Sequence, residues 1–144
     1  MQTETSRDGR TAAQALGAAG LVPFVALAAM IWLGRGDVLG VPARPALALY
    51  GAVIASFLGG IRWGVAAARG LGSLDYALSV VPSLIASGAF ALPLPWDLRA
   101  LGALVLVWGL VDQDLPRRGA VPSWLGRLRL VLSGVAGLCL LAAA

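Results

Sequence analysis

Tyr50 to Ala68 reads YGAVIASFLGGIRWGVAAA. Wound as a helix at about 100° per residue, it gathers Ile54, Phe57, Leu58, Ile61 and Val65 into one sector of roughly 100°. The remaining arc holds mostly small residues, with Arg62 and Trp63 among them. Small residues let neighbouring helix backbones approach closely, so Gly51, Ala55, Ser56, Gly59, Gly60 and Gly64 are the expected packing positions. A bulky sector turned to lipid and a small-residue arc turned to neighbours describe the central helix of a membrane bundle. Arg62 lies on the inner edge of that arc.

Composition supports a bilayer as the solvent. The chain has 144 residues, is 59% hydrophobic and only 12% charged, and has a mean hydropathy of +0.85. A soluble domain ordinarily carries about a quarter charged residues. The length allows one domain built from helices of about 20 residues each, because a spanning helix must satisfy its own backbone in hydrocarbon. The net charge of +4 comes from arginine, without lysine or histidine. In so apolar a chain it points to positive residues on the cytoplasmic side and away from nucleic acid. Cys139, the single cysteine, sits in an apolar run and excludes an intrachain disulfide or a cysteine metal motif.

Five spans follow from the apolar runs, at about 12–33, 46–68, 74–92, 98–115 and 124–141, after a polar tail at 1–11 expected to be mobile and cytoplasmic. The first contains Pro23 and the third Pro82, each an expected kink. Ala26-Leu27-Ala28 is a tolerable signal-peptide cleavage pattern, but the apolar run continues to Trp32, so a retained helix is expected. The third span carries Ser79, Ser83 and Ser87 at i, i+4 and i+8, a polar stripe down one face. It reads first as hydroxyls bonded within or between helices, and second as the wall of a polar path. The fourth span is short between Arg99 and Asp112, about 18 Å of helix against a hydrocarbon core of about 30 Å. Asp112 is therefore expected to face protein.

The five-span topology places Arg7, Arg10, Arg69, Arg117, Arg118, Arg127 and Arg129 on one side and Arg35, Arg44 and Arg99 on the other. The excess predicts a cytoplasmic amino terminus and a periplasmic carboxyl terminus. Arg62, Asp75, Asp112 and Arg129 then approach the membrane from the cytoplasmic side and form a candidate buried ionic cluster, because each charge alone in hydrocarbon costs a few kcal/mol or more. Snorkelling and lipid anchoring by the arginines compete with that reading. The Asp112 to Trp124 connection is expected to be solvated and cationic.

No catalytic set, cofactor motif or metal-ligand spacing is visible, and a nucleophile–base pair lacks suitably placed members. Two functions remain. One is a non-enzymatic accessory, assembly or lipid- and partner-binding module, its partners being membrane lipids and another membrane protein or a second copy. The other is a small oligomeric transporter or channel with a path near Arg62, Asp112 and the serine stripe. A path needs a water-accessible polar cavity reaching the midplane, whereas an accessory bundle needs a dry interior and an exposed groove.

Several strings carry a resemblance: Gly20-Leu21-Val22-Pro23-Phe24, Ser56 to Gly64 (SFLGGIRWG), Ser79-Val80-Val81-Pro82-Ser83, and Pro122-Ser123-Trp124 followed by Leu128-Arg129. From about Ala15 to Leu141 the chain resembles the small bacterial and mitochondrial membrane proteins grouped with transmembrane protein 69, domain of unknown function 3429. The resemblance implies a five-helix integral membrane module without an assigned activity. The arginine-, alanine- and glycine-rich composition suggests a bacterial inner membrane.

Overall fold

The computed structural model describes residues 2–38 and 40–144, with side chains from Arg7 onward among them. Five long helices and one short one account for nearly all of it: α1 (Gln2–Trp32), α2 (Ala43–Arg69), α3 (Ser73–Ala89), α4 (Trp96–Val111), α5 (Asp114–Arg117) and α6 (Ser123–Ala142). The polar leader is helical from Gln2 and continuous with α1, so it is not a separate tail. Glutamine, glutamate, arginine and alanine are all good helix formers there. Pro23 and Pro82 are each accommodated within one continuous helix. Between α1 and α2, β1 (Asp37–Val38) and β2 (Val41–Pro42) pair antiparallel, with Gly40 supplying a φ of 79° at the turn. This two-residue ladder lies where the sequence suggests only a turn-rich connection, and the fold is otherwise all-α. Gly70, at φ 61°, stops α2 and donates its N–H to the Ala66 carbonyl.

The long helices close a ring in the order α1, α2, α3, α4, α6, and α2 also touches α4 and α6 across it. The second helix is therefore in contact with every other long helix. Its buried stripe is Gly51, Ala52, Ala55, Gly59, Arg62 and Ala66. That stripe takes only half of the small-residue arc. Gly60 and Gly64 face outward, with no atom within 4 Å of where a Cβ would stand, and so do not pack helices within this chain. Ile54, Leu58, Ile61 and Val65 are half-buried on the flank, and of the bulky sector only Phe57 is fully exposed. The division has a simple cause: α2 has neighbours on two sides, so its most inward direction lies between the bulky sector and the outward glycines.

Two crossings are tight. At Gly59 a Cβ would overlap the backbone carbonyl of Ser79 on α3. Between α4 and α6, a Cβ at Gly102 would lie 3.0 Å from the Gly137 carbonyl oxygen, and a Cβ at Gly137 the same distance from that of Gly102. Around these crossings pack Phe24, Leu47, Leu98, Leu101, Val105 and Leu140, all fully buried.

Arg7–Trp32, Ala43–Arg69 and Ser123–Ala142 are long and apolar enough to cross a membrane. With 17 and 16 residues, α3 and α4 reach about 26 and 24 Å, short of a core of about 30 Å.

At the end of the bundle holding the carboxyl terminus, Trp32 Nε1 donates to the Ala142 carbonyl at 2.9 Å. Arg44 donates to the Ala143 carbonyl at 3.0 Å and pairs with Asp97 at 2.6 Å. This half-buried arginine ties the start of α2 to the start of α4 and the end of α6. Arg44→Met is expected to lower stability by about 1.5–3 kcal/mol, the range for hydrogen bonds to a charged group. Arg99→Met, which removes only an exposed stack 5.0 Å over Trp96, is expected to cost about 0.5 kcal/mol. Thermal unfolding of both variants in the same detergent checks the order.

Candidate functional site: a buried ionic cluster beside a lateral groove

Gly70 reverses the chain after α2, which sets Asp75 in the first turn of α3 beside Arg62 in the last third of α2. A carboxylate in a first turn also faces the positive end of its helix dipole. Asp112 caps the end of α4, Asp114 opens α5, and Arg118 follows Asp114 by one turn. Arg129 enters from the second turn of α6. Helix ends from α2, α3, α4 and α6 thus meet at one end of the bundle.

The guanidinium of Arg62 is the hub. Its Nη1 donates to Asp112 Oδ1 and to Asp114 Oδ1, both at 3.0 Å. Its Nη2 donates to Asp75 Oδ1 at 2.7 Å and to Asp114 Oδ2 at 2.9 Å. Arg118 donates to both oxygens of Asp75, at 2.7 and 3.2 Å, and pairs with Asp114 at 3.0 Å. Arg129 Nη2 donates to Asp112 Oδ2, and to the Leu58 carbonyl at 3.4 Å. Arg62 and Asp112 are each 1% exposed, Asp75 4% and Arg129 6%. Three arginines face three aspartates, so the cluster is neutral as a whole, which is what makes its burial tolerable. Outside the helices, the Asp75 carboxylate pushes the Arg118 guanidinium above its ordinary value, so the outermost cation stays charged.

The four residues singled out from sequence, Arg62, Asp75, Asp112 and Arg129, are brought together. Asp114 and Arg118 join them, although the connection that carries them reads as solvated loop. Their i, i+4 spacing is the signal for that pair, and Leu115 between them is buried as the anchor of the loop. Gln113 fastens the same connection, donating to the Gly109 and Gly126 carbonyls at 3.0 Å each.

The serine stripe does not form a continuous wall. The buried face of α3 runs Asp75, Ser79, Pro82, Ala86 and Ala89, while Ser83 is half-buried and Ser87 exposed. Eight residues advance a helix about 80° past two full turns, enough to rotate Ser87 off the face that holds Ser79. Ser79 donates to the Tyr76 carbonyl at 2.6 Å and Ser87 to the Ser83 carbonyl at 2.8 Å, so both hydroxyls bond back within their own helix. Of the expected packing positions, Gly51, Ala55 and Gly59 are buried and Ser56 is half-buried.

Beside the cluster, α1, α2 and α6 enclose a groove of about 370 Å³ that opens sideways. Leu16, Phe24, Ile54, Leu58 and Leu132 form its walls, and Arg129 and Ser133 are its polar members. No group of three or more His, Cys, Asp or Glu able to hold a metal ion occurs among the described residues.

Over residues 9–144 the chain matches the family described as "Protein of unknown function (DUF3429)". It is 34% identical over 137 residues to "Transmembrane protein 69" of Xenopus tropicalis, an alignment covering 90% of this chain and 52% of that protein. The chain thus spans about half the length of the curated relative it matches. No solved structure matches it.

Proposed function

This chain belongs to the DUF3429 family of proteins of unknown function, and from that premise we propose that it is a non-enzymatic accessory module of a bacterial inner membrane, binding a partner helix or lipid. In this reading all five long helices cross the bilayer, with the amino terminus cytoplasmic and the carboxyl terminus periplasmic. The bilayer thins or the ends of α3 and α4 sit in the head-group layer, which costs only fractions of a kcal/mol per ångström. The ionic cluster then lies at the cytoplasmic end, where the arginine excess favours it.

One observation carries the proposal: the buried carboxylates are taken up by the chain's own arginines, while the surfaces that open outward are apolar. Those surfaces are the lateral groove and the outer face of α2, where Gly60 and Gly64 stand four residues apart with open space over both. Small residues so spaced admit another helix at close range. A transport path, by contrast, needs polar groups lining a cavity that reaches the midplane. The Ser79 and Ser87 hydroxyls instead bond back to α3.

The test is a pull-down of the tagged chain in nanodiscs, followed by native mass spectrometry. A stoichiometric membrane partner is expected, and Gly60→Leu combined with Gly64→Leu is expected to release it without lowering the melting temperature. A self-associated species that binds nothing, and whose ion flux in liposomes is abolished by replacing Arg62, would establish the transporter reading instead.

A further inference from the structure

Arg129 is the one member of the ionic cluster that also lines the groove. Only its Nη2 is engaged, on Asp112 and the Leu58 carbonyl. Its Nε and Nη1 are buried and have no hydrogen-bond partner among the described residues, in a side chain more than nine-tenths buried. Buried donors are nearly always satisfied, and those of a cation are the most unfavourable to leave unmade. The rest of the groove wall offers little: Ser133, one turn deeper on α6, is its other polar side chain.

We propose that the groove holds one acyl chain of an anionic phospholipid drawn from the surrounding bilayer, with the lipid phosphate accepting hydrogen bonds from the unpartnered N–H groups of Arg129. This rests on the reading above that the groove is an outward binding surface, and adds the class of its ligand. Three features converge on it. The groove is within the size range of ligand sites and lined by apolar side chains, as an acyl chain requires. It opens toward the bilayer along α1, where Leu16 is exposed. A cation stands near its Ala13 and Leu125 end: the guanidinium of Arg10, one turn before Ala13 on α1, lies 5.6 Å over Trp124. Charge-assisted bonds to phosphate are stronger than those to a neutral acceptor, and basic residues at a membrane surface select anionic lipid.

The experiment uses the full chain extracted from vesicles of equal phosphatidylglycerol and phosphatidylcholine, with native mass spectrometry of the lipid retained and thermal unfolding as a control. Phosphatidylglycerol is expected to be retained in preference to phosphatidylcholine. Arg129→Lys keeps a cation opposite Asp112 and removes Nε and Nη1, and is expected to cut the preference about tenfold. Ala13→Phe narrows the mouth of the groove beside Leu125 and is expected to reduce retention of both lipids; it decides the matter if the lysine variant does not fold. Equal retention of the two lipids, replacement of phospholipid by added oleate, or retention indifferent to Ala13→Phe would overturn the proposal. A captured partner protein with no lipid preference would overturn this inference and leave the accessory reading intact, whereas a species retaining neither would overturn both.

Discussion

Arg62→Ala is expected to destabilise the protein by about 3–5 kcal/mol, the loss seen when one partner of a buried ion pair is removed. The reason lies less in the bonds lost than in the carboxylates left behind. Asp112 is 1% exposed and would keep only Arg129, while Asp75 would keep Arg118 at the outer side of the cluster. Asp114, half-exposed, can turn to water. Asp112→Ala in the Arg62→Ala background removes the most deeply stranded charge and is expected to restore about 1–2 kcal/mol, with a coupling of at least about 1 kcal/mol in the double-mutant cycle. Rescue stays partial because Arg62 has three aspartate partners and because losing Asp112 leaves the buried Arg129 without a carboxylate. Unfolding in a denaturing detergent titration gives all four corners. Strict additivity would show that Asp112 depends on Arg129 and not on Arg62.

The second large effect separates two adjacent glycines. Gly59→Ala places a methyl group onto the Ser79 carbonyl, a backbone atom that can move only if α2 and α3 part. Overpacking in a dense interior costs about 1–3 kcal/mol, and the rigid obstacle puts Gly59→Ala at the upper end. Gly60→Ala meets no atom within 4 Å and gains helix propensity, so it is expected to be neutral or stabilising by up to about 1 kcal/mol. The same unfolding measurement on both variants reads the contrast. Equal effects would mean that the α2–α3 crossing is not set by Gly59.

The two glycines also show where sequence reading reaches its limit. Periodicity identifies the small-residue arc of α2, since side-chain direction along a helix is a local property. It does not identify which part of the arc faces inward, because that depends on where α1, α3, α4 and α6 stand. Gly59 is pressed against α3 and Gly60 faces outward, yet in sequence they are equivalent. Gly102 and Gly137 form the other tight crossing, and nothing about either residue alone signals it.

The amino-acid sequence by itself determined that this is a helical membrane protein, where its apolar runs begin and end, and that Asp112 must meet protein instead of lipid, while Arg62 was open to either pairing or snorkelling. Those conclusions follow from hydrocarbon thickness, helix rise and the cost of an isolated charge, none of which needs a neighbour's position. Only the tertiary structure decided the ring order of the helices, the recruitment of Asp114 and Arg118 to the cluster, and the groove beside Arg129. Each depends on which helix ends converge in space, and convergence is a property of packing between segments far apart in the chain.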